Sequence, residues 1–266
     1  MKRIITTFVL LPLFIFIVVS KEIYYFAILT FIGAILAEIE YFKIVEKMGT
    51  KIFKTVAMLW TISFLCVALW PSSLQLEIVV SLGFMVLIVT TLFSSLKMKE
   101  AIESISMTLL GVFYVGFFLA YFIALKSQGD ERGKDLLLLL TFTVWAGDTM
   151  AYIIGSFLGK HKLAPLISPK KSWEGAIANV VASILMAYIS SITFIQRIDL
   201  NDVITLGILI SIVGQLGDLF ESVLKRAANI KDSSNILPGH GGILDRIDSL
   251  VFTAPLLYYY HQVFLK

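Results

Sequence analysis

Apolar runs of about 20 residues recur along this chain, and they restrict it to a membrane fold. A helix of that length crosses a hydrocarbon core about 30 Å thick, and in lipid only helices and closed barrels satisfy their own backbone hydrogen bonds. Strands of alternating hydrophobicity, which would build a barrel, are not seen. Only 15% of the 266 residues are charged, against about 25% in soluble domains. The sequence therefore predicts an all-α integral membrane protein.

Nine transmembrane helices are predicted, as a polytopic bundle that forms a single membrane domain over residues 1–266. Residues 1–100 are expected to be a scaffold, and residues 101–266 to carry the active site. The third to fifth helices hold few polar groups and are candidates for a homodimer surface. The apolar runs place the helices near 4–20, 23–37, 55–70, 77–96, 104–125, 135–158, 173–196, 203–224 and 249–264.

Lys and Arg are distributed unevenly among the predicted loops. With the N-terminus in the cytoplasm, segments 1–3, 38–54, 97–103, 159–172 and 225–248 are cytoplasmic and hold 2, 4, 2, 4 and 4 of these residues, or 16 of the 22. An excess of cations on that side is what the positive-inside rule requires. We therefore expect a multi-pass protein of the inner or plasma membrane whose two motif-bearing loops, 159–172 and 225–248, face the cytoplasm.

Carboxylates occur inside or beside three of the predicted helices. Asp148 lies about ten residues from the cytoplasmic end of the sixth helix, roughly 15 Å deep at 1.5 Å per residue. Asp218 lies near the cytoplasmic end of the eighth helix, and Asp245 and Asp248 share one face at the start of the ninth. Each acid could instead pair with a helical neighbour, as Asp218 could with Lys225. Gathered beside a basic loop, the set favours oxygen ligation of Mg²⁺ or Mn²⁺.

Two predicted helix N-termini combine features that suit anions. Helix N-termini bind phosphates through free amide groups, and glycine lets the backbone approach them closely. The lysines before the seventh helix could instead only set topology and bind anionic lipid heads. The residues concerned are Lys170 and Lys171, with Ser172 as N-cap and Glu174 in the first turn, and Gly241 and Gly242 before the ninth helix.

The eighth helix carries a polar stripe. Asp218, Glu221, Ser222 and Lys225 recur at i, i+3, i+4 and i+7 and so lie on one face. Lipid cannot satisfy such a face, which must meet water or a partner helix. Gly214 and Gly217 would allow a neighbouring helix to approach closely.

Residues 222–248 form a dense polar block in an otherwise apolar chain. The block reads Ser-x-apolar-Lys-Arg, then four residues and Lys-Asp, and ends His-Gly-Gly-apolar-x-Asp-Arg-apolar-Asp. It resembles the signature of phosphatidate cytidylyltransferases (CDP-diacylglycerol synthases), and the run at 168–175 is similar to that family as well. The resemblance covers the second half of the chain. The matching residues are Ser222, Leu224, Lys225, Arg226, Lys231, Asp232, Ser234, Leu237, Pro238, His240, Gly241, Gly242, Ile243, Asp245, Arg246, Ile247 and Asp248.

The resemblance implies an enzyme that joins CTP and phosphatidate into CDP-diacylglycerol and pyrophosphate with Mg²⁺ (or Mn²⁺), at a lipid bilayer and without nucleic acid. Asp218 and Asp245, supported by Asp248 and Asp148, are then expected to hold the metal. The cations expected to neutralise phosphate charge are Lys170, Lys171, Lys225, Arg226 and Arg246. The other residues expected near the substrates are Ser172, Glu174, Ser222, Lys231, Asp232, His240, Gly241 and Gly242, with the role of His240 left open between phosphate binding, loop ordering and a general base.

Two other classes of function compete with this one. A cation- or proton-coupled transporter also uses intramembrane acids, but it needs a route to the outer face, where the loops are short and poor in polar motifs. Another lipid-phosphate transferase, such as a polyprenol kinase, needs a base for a hydroxyl substrate and transfers the γ-phosphate.

Overall fold

The structure is a computed structural model that describes residues 2–195, 198–236 and 241–265, with side chains from Leu11 onward. These ranges contain nine helices and one β-hairpin. α5 includes a π-helical segment at Val112–Phe117. The elements in chain order are α1 (Lys2–Val19), α2 (Ile23–Lys47), α3 (Lys54–Leu69), α4 (Leu76–Leu92), α5 (Met98–Lys126), α6 (Asp130–Leu158), β1 (Lys162–Ala164), β2 (Ser168–Ser172), α7 (Trp173–Thr193), α8 (Leu200–Ala227) and α9 (Leu244–Phe264).

The predicted all-α polytopic membrane protein is confirmed. Among the described residues, five helices are long and apolar enough to cross a membrane, namely α2, α5, α6, α7 and α8. α3 and α4 are shorter apolar helices. Every helix predicted from the apolar runs has a counterpart in the structure, and the differences lie at the ends.

The largest difference is at the end of α2, which was expected at residue 37. The expectation of a loop over 38–54 is wrong for its first part, because α2 continues to Lys47. Residues 38–48 contain no glycine or proline, and Gly49, whose φ is +86°, ends the helix in the way typical of a C-terminal glycine. The extension carries two fully buried carboxyl side chains, Glu38 and Glu40.

Segment 159–172, expected to be a loop, contains the hairpin. β1 and β2 pair antiparallel, with Lys162 opposite Ser172 and Ala164 opposite Ser168. The base of the hairpin is tied to α7, since Glu174 accepts hydrogen bonds from the backbone N–H of His161 at 3.2 Å and contacts its ring Nδ1 at 2.7 Å. β2 therefore leads directly into the first turn of α7.

The chain forms two compact units. The first unit comprises Met1–Ser127 and Leu224–Arg246, and the second comprises Gln128–Val223 and Ile247–Lys266. α8 and α9 thus contribute residues to both. In the first unit, α2, α3 and α5 surround a core that includes the fully buried Tyr41 and Leu65. In the second, α6 and α7 pack most extensively, with Gly147 of α6 against Asn179 of α7.

Candidate active site

The first unit contains a buried polar cluster at the start of α9, which we call the loop cluster: Glu40, Lys225, Ser233 and Asp245. Lys225 lies in the last turn of α8 and Asp245 in the first turn of α9. Lys225 Nζ donates to Asp245 Oδ1 at 2.6 Å, and the two side chains are only 11% and 6% exposed. The two signature residues therefore form a buried ion pair, whereas the sequence suggested Asp218 as the possible partner of Lys225 and a metal ion as that of Asp245.

The second carboxylate oxygen of Asp245 organises the loop that precedes α9. Oδ2 accepts from the backbone N–H and the hydroxyl of Ser233, both at 2.9 Å, and from the N–H of Gly242 at 2.8 Å. Burial alone would raise the pKa of Asp245, but the hydrogen bonds from Lys225, Gly242 and Ser233 and the charge of Lys225 outweigh it, so this pKa lies below its ordinary value. Asp245 is thus held ionised.

Glu40 reaches the same loop from α2. Its Oε1 accepts from the hydroxyl of Ser234 at 2.5 Å and from the N–H of Ile243 at 3.0 Å. Its Oε2 accepts from the hydroxyl of Ser233 at 2.9 Å and from the N–H of Leu244 at 2.8 Å. A carboxylate from a distant helix therefore caps the N-terminus of α9.

These contacts change the expectation for the tip of α9. Free amide groups were expected there for a phosphate, but the N–H groups of residues 242–244 donate to Asp245 and Glu40. The positive end of the helix already faces carboxylates of the protein itself. Gly241 has φ +82°, the left-handed region that favours glycine. Direct substrate binding by Gly241 and Gly242 stays a prediction.

Other signature residues near the loop cluster point into solvent. Arg226, Lys231, Asp232 and Arg246 are exposed, and Arg226 donates to the backbone carbonyl of Ile230 at 3.0 Å. Three of the four are cations, so the exposed surface around the buried loop cluster carries a net positive charge. His240 lies outside the described residues.

The second unit gathers the other predicted metal ligands, Asp148 of α6, Asp218 of α8 and Asp248 of α9, which we call the aspartate cluster. Asp148 and Asp218 are close enough to repel each other, and Asp248 interacts with both. Close packing produces this proximity. At Gly217, a methyl group would lie 2.5 Å from the carbonyl oxygen of Asp248, so the predicted role of that glycine in helix approach is confirmed.

One cation reaches the aspartate cluster from the hairpin. Lys171 Nζ lies 2.8 Å from Asp218 Oδ2, with the side chains 23% and 34% exposed. Because side chains alternate along a strand, its neighbour Lys170 points the other way and is exposed. Ser172 is the N-cap of α7, as predicted, and its hydroxyl accepts from the N–H of Gly175 at 3.2 Å. Ser222 donates to Asp218 Oδ1 at 3.5 Å.

Asp148 is oriented by a buried amide. Asn179 Nδ2 donates to Asp148 Oδ1 at 3.2 Å, while Asn179 Oδ1 accepts from the hydroxyls of Ser211 at 2.7 Å and Ser183 at 3.3 Å. Gln215 extends the chain of bonds to Ser211 at 3.0 Å. Asn179 is 3% exposed, so this network fixes one carboxylate of the aspartate cluster from within the protein.

The donor chemistry of the aspartate cluster fits a hard divalent cation. The charges of the three aspartates act on one another, Lys171 pairs with only Asp218 among them, and oxygen-only donors are those that Mg²⁺ prefers. Over the described ranges, no three acidic, histidine or cysteine side chains converge closely enough to hold a metal ion. The charge excess is therefore present, whereas a closed ligand shell would require the carboxylates to turn toward a shared ion.

Sequence reasoning missed Glu40, Ser233 and Asn179, and also Ser183, Ser211 and Gln215, which belong to the Asn179 network. The helical position of Glu40 could have been predicted, because no helix breaker lies between residue 38 and Gly49. Ser233 lies inside the signature block, between the matched residues Asp232 and Ser234, but at a position that the signature leaves open. Asn179 lies in an apolar helix, where a buried amide must find partners, but no spacing pattern says which.

The fold and its two polar clusters define a membrane-embedded enzyme whose charges suit phosphate groups and cations. The chain belongs to the cytidylyltransferase family, whose model matches residues 1–264. It is 40% identical over 188 residues to the phosphatidate cytidylyltransferase of Staphylococcus haemolyticus, which covers 71% of this chain and 70% of that protein. It is 38% identical over 181 residues to the enzyme of that name from Bacillus subtilis, covering 68% and 67%.

Proposed function

We propose that this protein transfers the cytidylyl group of CTP to phosphatidate, giving CDP-diacylglycerol and pyrophosphate for phospholipid synthesis. The observation that carries the proposal is the similarity to phosphatidate cytidylyltransferases over more than two thirds of both chains. The buried ion pair of Lys225 and Asp245 supports it, since two residues of the matching signature are joined in one network.

The reaction joins two anions. A phosphate oxygen of phosphatidate forms a bond to the α-phosphorus of CTP, while the bond from that phosphorus to the bridging oxygen breaks and pyrophosphate leaves with the electron pair. A phosphate monoester has a second pKa of about 6, so the attacking oxygen is already ionised near neutral pH. The protein therefore has to position the substrates and neutralise their charge, and a strong general base is not required.

Cations of both units are suited to neutralising phosphate charge. Arg226, Lys231 and Arg246 are exposed and can meet a polyanion that arrives from water. Lys225 is buried against Asp245 and would act mainly by fixing the loop and adding positive potential. Lys171 would exchange part of its interaction with Asp218 for a substrate phosphate.

The proposed cofactor is Mg²⁺ (or Mn²⁺), held by Asp148, Asp218 and Asp248. When bound, the ion would polarise the phosphoryl oxygens and stabilise the charge of the leaving pyrophosphate. Asn179 orients Asp148 for this task, and Lys171 limits the repulsion among the carboxylates before the ion binds. Asp245 as a further metal ligand stays a prediction.

The proposed location is the plasma membrane, with the active site on the cytoplasmic side where CTP is available. The excess of Lys and Arg in the segments predicted to be cytoplasmic supports this orientation. A homodimer through the third to fifth helices also stays a prediction. Cross-linking in native membranes tests it directly.

The decisive experiment uses purified protein in detergent with phosphatidate, CTP and Mg²⁺, and measures both CDP-lipid and pyrophosphate. We expect the two products in equal amounts, none without phosphatidate, and none after chelation until Mg²⁺ or Mn²⁺ is restored. ATP in place of CTP is the matched control for nucleotide selectivity.

The same assay separates the competing functions. A nucleoside diphosphate together with a phosphorylated lipid alcohol, and no CDP-lipid, would identify a lipid kinase. Cation uptake into proteoliposomes, with neither lipid product, would identify a transporter.

A further inference from the structure

We propose that Glu40 is a positioning residue for cytidylyl transfer, which sets the arrangement of Ser233, Asp245 and Lys225 from α2. The inference rests on the proposed function, since it names a residue that supports that site. Glu40 lies outside the signature block and belongs to the part of the chain expected to be only a scaffold.

The first argument is the number and type of bonds that Glu40 accepts. Its side chain is fully buried, and its two oxygens accept four hydrogen bonds, from two serine hydroxyls and two backbone N–H groups. All four donors belong to the segment 233–244. A buried carboxylate is stabilised only when such donors surround it, so this segment and Glu40 require each other's position.

The second argument is the sharing of one hydroxyl. Ser233 Oγ lies 2.9 Å from Glu40 Oε2 and also 2.9 Å from Asp245 Oδ2. A serine hydroxyl has a single proton to donate, so the two carboxylates compete for it. Moving or neutralising Glu40 therefore changes what Ser233 offers Asp245. Asp245 in turn holds Lys225 at 2.6 Å.

The third argument is the absence of space for an alternative arrangement. A methyl group on Gly242 would overlap Ser233 Oγ and the carboxylate of Glu40. The backbone at Gly242 thus lies directly against the Glu40 side chain. No space is left there for another side chain to take the place of the Glu40 carboxylate. The geometry of the loop cluster follows from Glu40 as much as from the signature.

Replacing the acid by its amide provides a sharp test. In Glu40→Gln, one of the two acceptor oxygens becomes an NH₂ group, which cannot accept a hydrogen bond. The hydroxyls of Ser233 and Ser234 can rotate, but the N–H groups of Ile243 and Leu244 cannot, so one of them faces a donor in either amide orientation. Glu46→Gln is the matched control, since Glu46 lies on the same helix, is exposed and pairs with the exposed Lys54.

We expect kcat per folded enzyme to fall at least about tenfold in Glu40→Gln, which corresponds to roughly one charged hydrogen bond. The KM for CTP should change less than about threefold, because Glu40 is fully buried and both its oxygens accept from protein donors. Glu40→Asp keeps two acceptor oxygens and should recover part of kcat. Glu46→Gln should match the wild type. A merely structural role would reduce the amount of folded protein but leave kcat per folded molecule unchanged.

A second readout does not depend on the activity. Lys231 is exposed in the loop between α8 and α9, and trypsin cleavage after it reports how firmly the loop is held. We expect faster cleavage in Glu40→Gln than in Glu46→Gln. Equal cleavage, or a kcat per folded enzyme within about twofold of wild type, would overturn the role of Glu40. A wild-type protein that makes no CDP-lipid while cleavage still differs would instead overturn the proposed function.

Discussion

The buried pair of Lys225 and Asp245 makes a quantitative prediction. Replacing Lys225 by Met leaves a carboxylate that is only 6% exposed without its cation. Breaking a buried pair from one side costs about 3–5 kcal/mol. At about 2–4 °C per kcal/mol for a chain of this size, we expect Tm to fall by roughly 6–20 °C. Thermal unfolding in detergent, followed by intrinsic fluorescence, measures the change.

The double variant Lys225→Met with Asp245→Asn tests the reason for that loss. Asn keeps one oxygen to accept from Ser233 and Gly242, and its NH₂ group replaces the oxygen that faced Lys225. Because neither position 225 nor position 245 then carries an unbalanced charge, the double variant should regain more than half of the lost Tm. Asp245→Asn alone should be nearly as destabilised as Lys225→Met, since it removes the negative charge next to the buried lysine. CDP-lipid formation should stay low in all three.

Two results would refute this reasoning. One is a Tm for Lys225→Met within about 2 °C of wild type, equivalent to less than about 1 kcal/mol. The other is a double variant whose loss equals the sum of the two single losses, because contacting residues in one network are expected to be strongly non-additive. Either would mean that the pair is solvated in the membrane-bound protein.

Three further predictions concern catalysis, packing and pH. Asp218→Asn should abolish CDP-lipid formation while leaving membrane expression normal. Lys162→Ala, on the exposed face of the hairpin, should change CDP-lipid formation little. Near-normal turnover of Asp218→Asn would remove Asp218 from the metal site. Gly242→Ala should disrupt the loop cluster and lower activity at least about tenfold, whereas Gly33→Ala, which has no atom within 4 Å of the added methyl group, should match wild type in the same assay. The pKa of Asp245 lies below its ordinary value, so its stabilisation is complete above the unfolded value of about 3.9 and is lost as pH falls through the lower folded value. The double variant Lys225→Met with Asp245→Asn has no titrating group at either position, so the Tm difference between it and wild type should be constant from about pH 8 to about pH 5 and shrink below about pH 4. A decline near neutral pH would contradict this sign.

The helices were predictable because lipid leaves few ways to satisfy a backbone. Each apolar run marks one helix, and only the ends depend on subtler signals. The end of α2 was misplaced because Glu38 and Glu40 were read as the start of a loop. In fact tertiary contacts accommodate both carboxyl groups inside the protein, and Gly49 ends the helix.

The candidate site was predictable where residue types sit at fixed spacing, and less so where partners come from elsewhere in the chain. The signature contains Lys225 and Asp245, and the structure joins them. Glu40 and Asn179 belong to no such pattern, because their roles follow from tertiary neighbours. The side chains of Lys170 and Lys171 point in opposite directions because both residues lie in β2. The hairpin that contains β2 was not predicted from the short basic segment 159–172.

The link between Glu40 and its four donors has a consequence for how the protein is made. The bonded groups are 193 to 204 residues apart in sequence, and a ribosome adds about 5–20 residues per second. The carboxylate therefore emerges roughly 10–40 s before its partners and needs other hydrogen-bond donors, such as water, during that interval. Glu40 of α2 acquires its four hydrogen-bond donors only after the last fifth of the chain has left the ribosome.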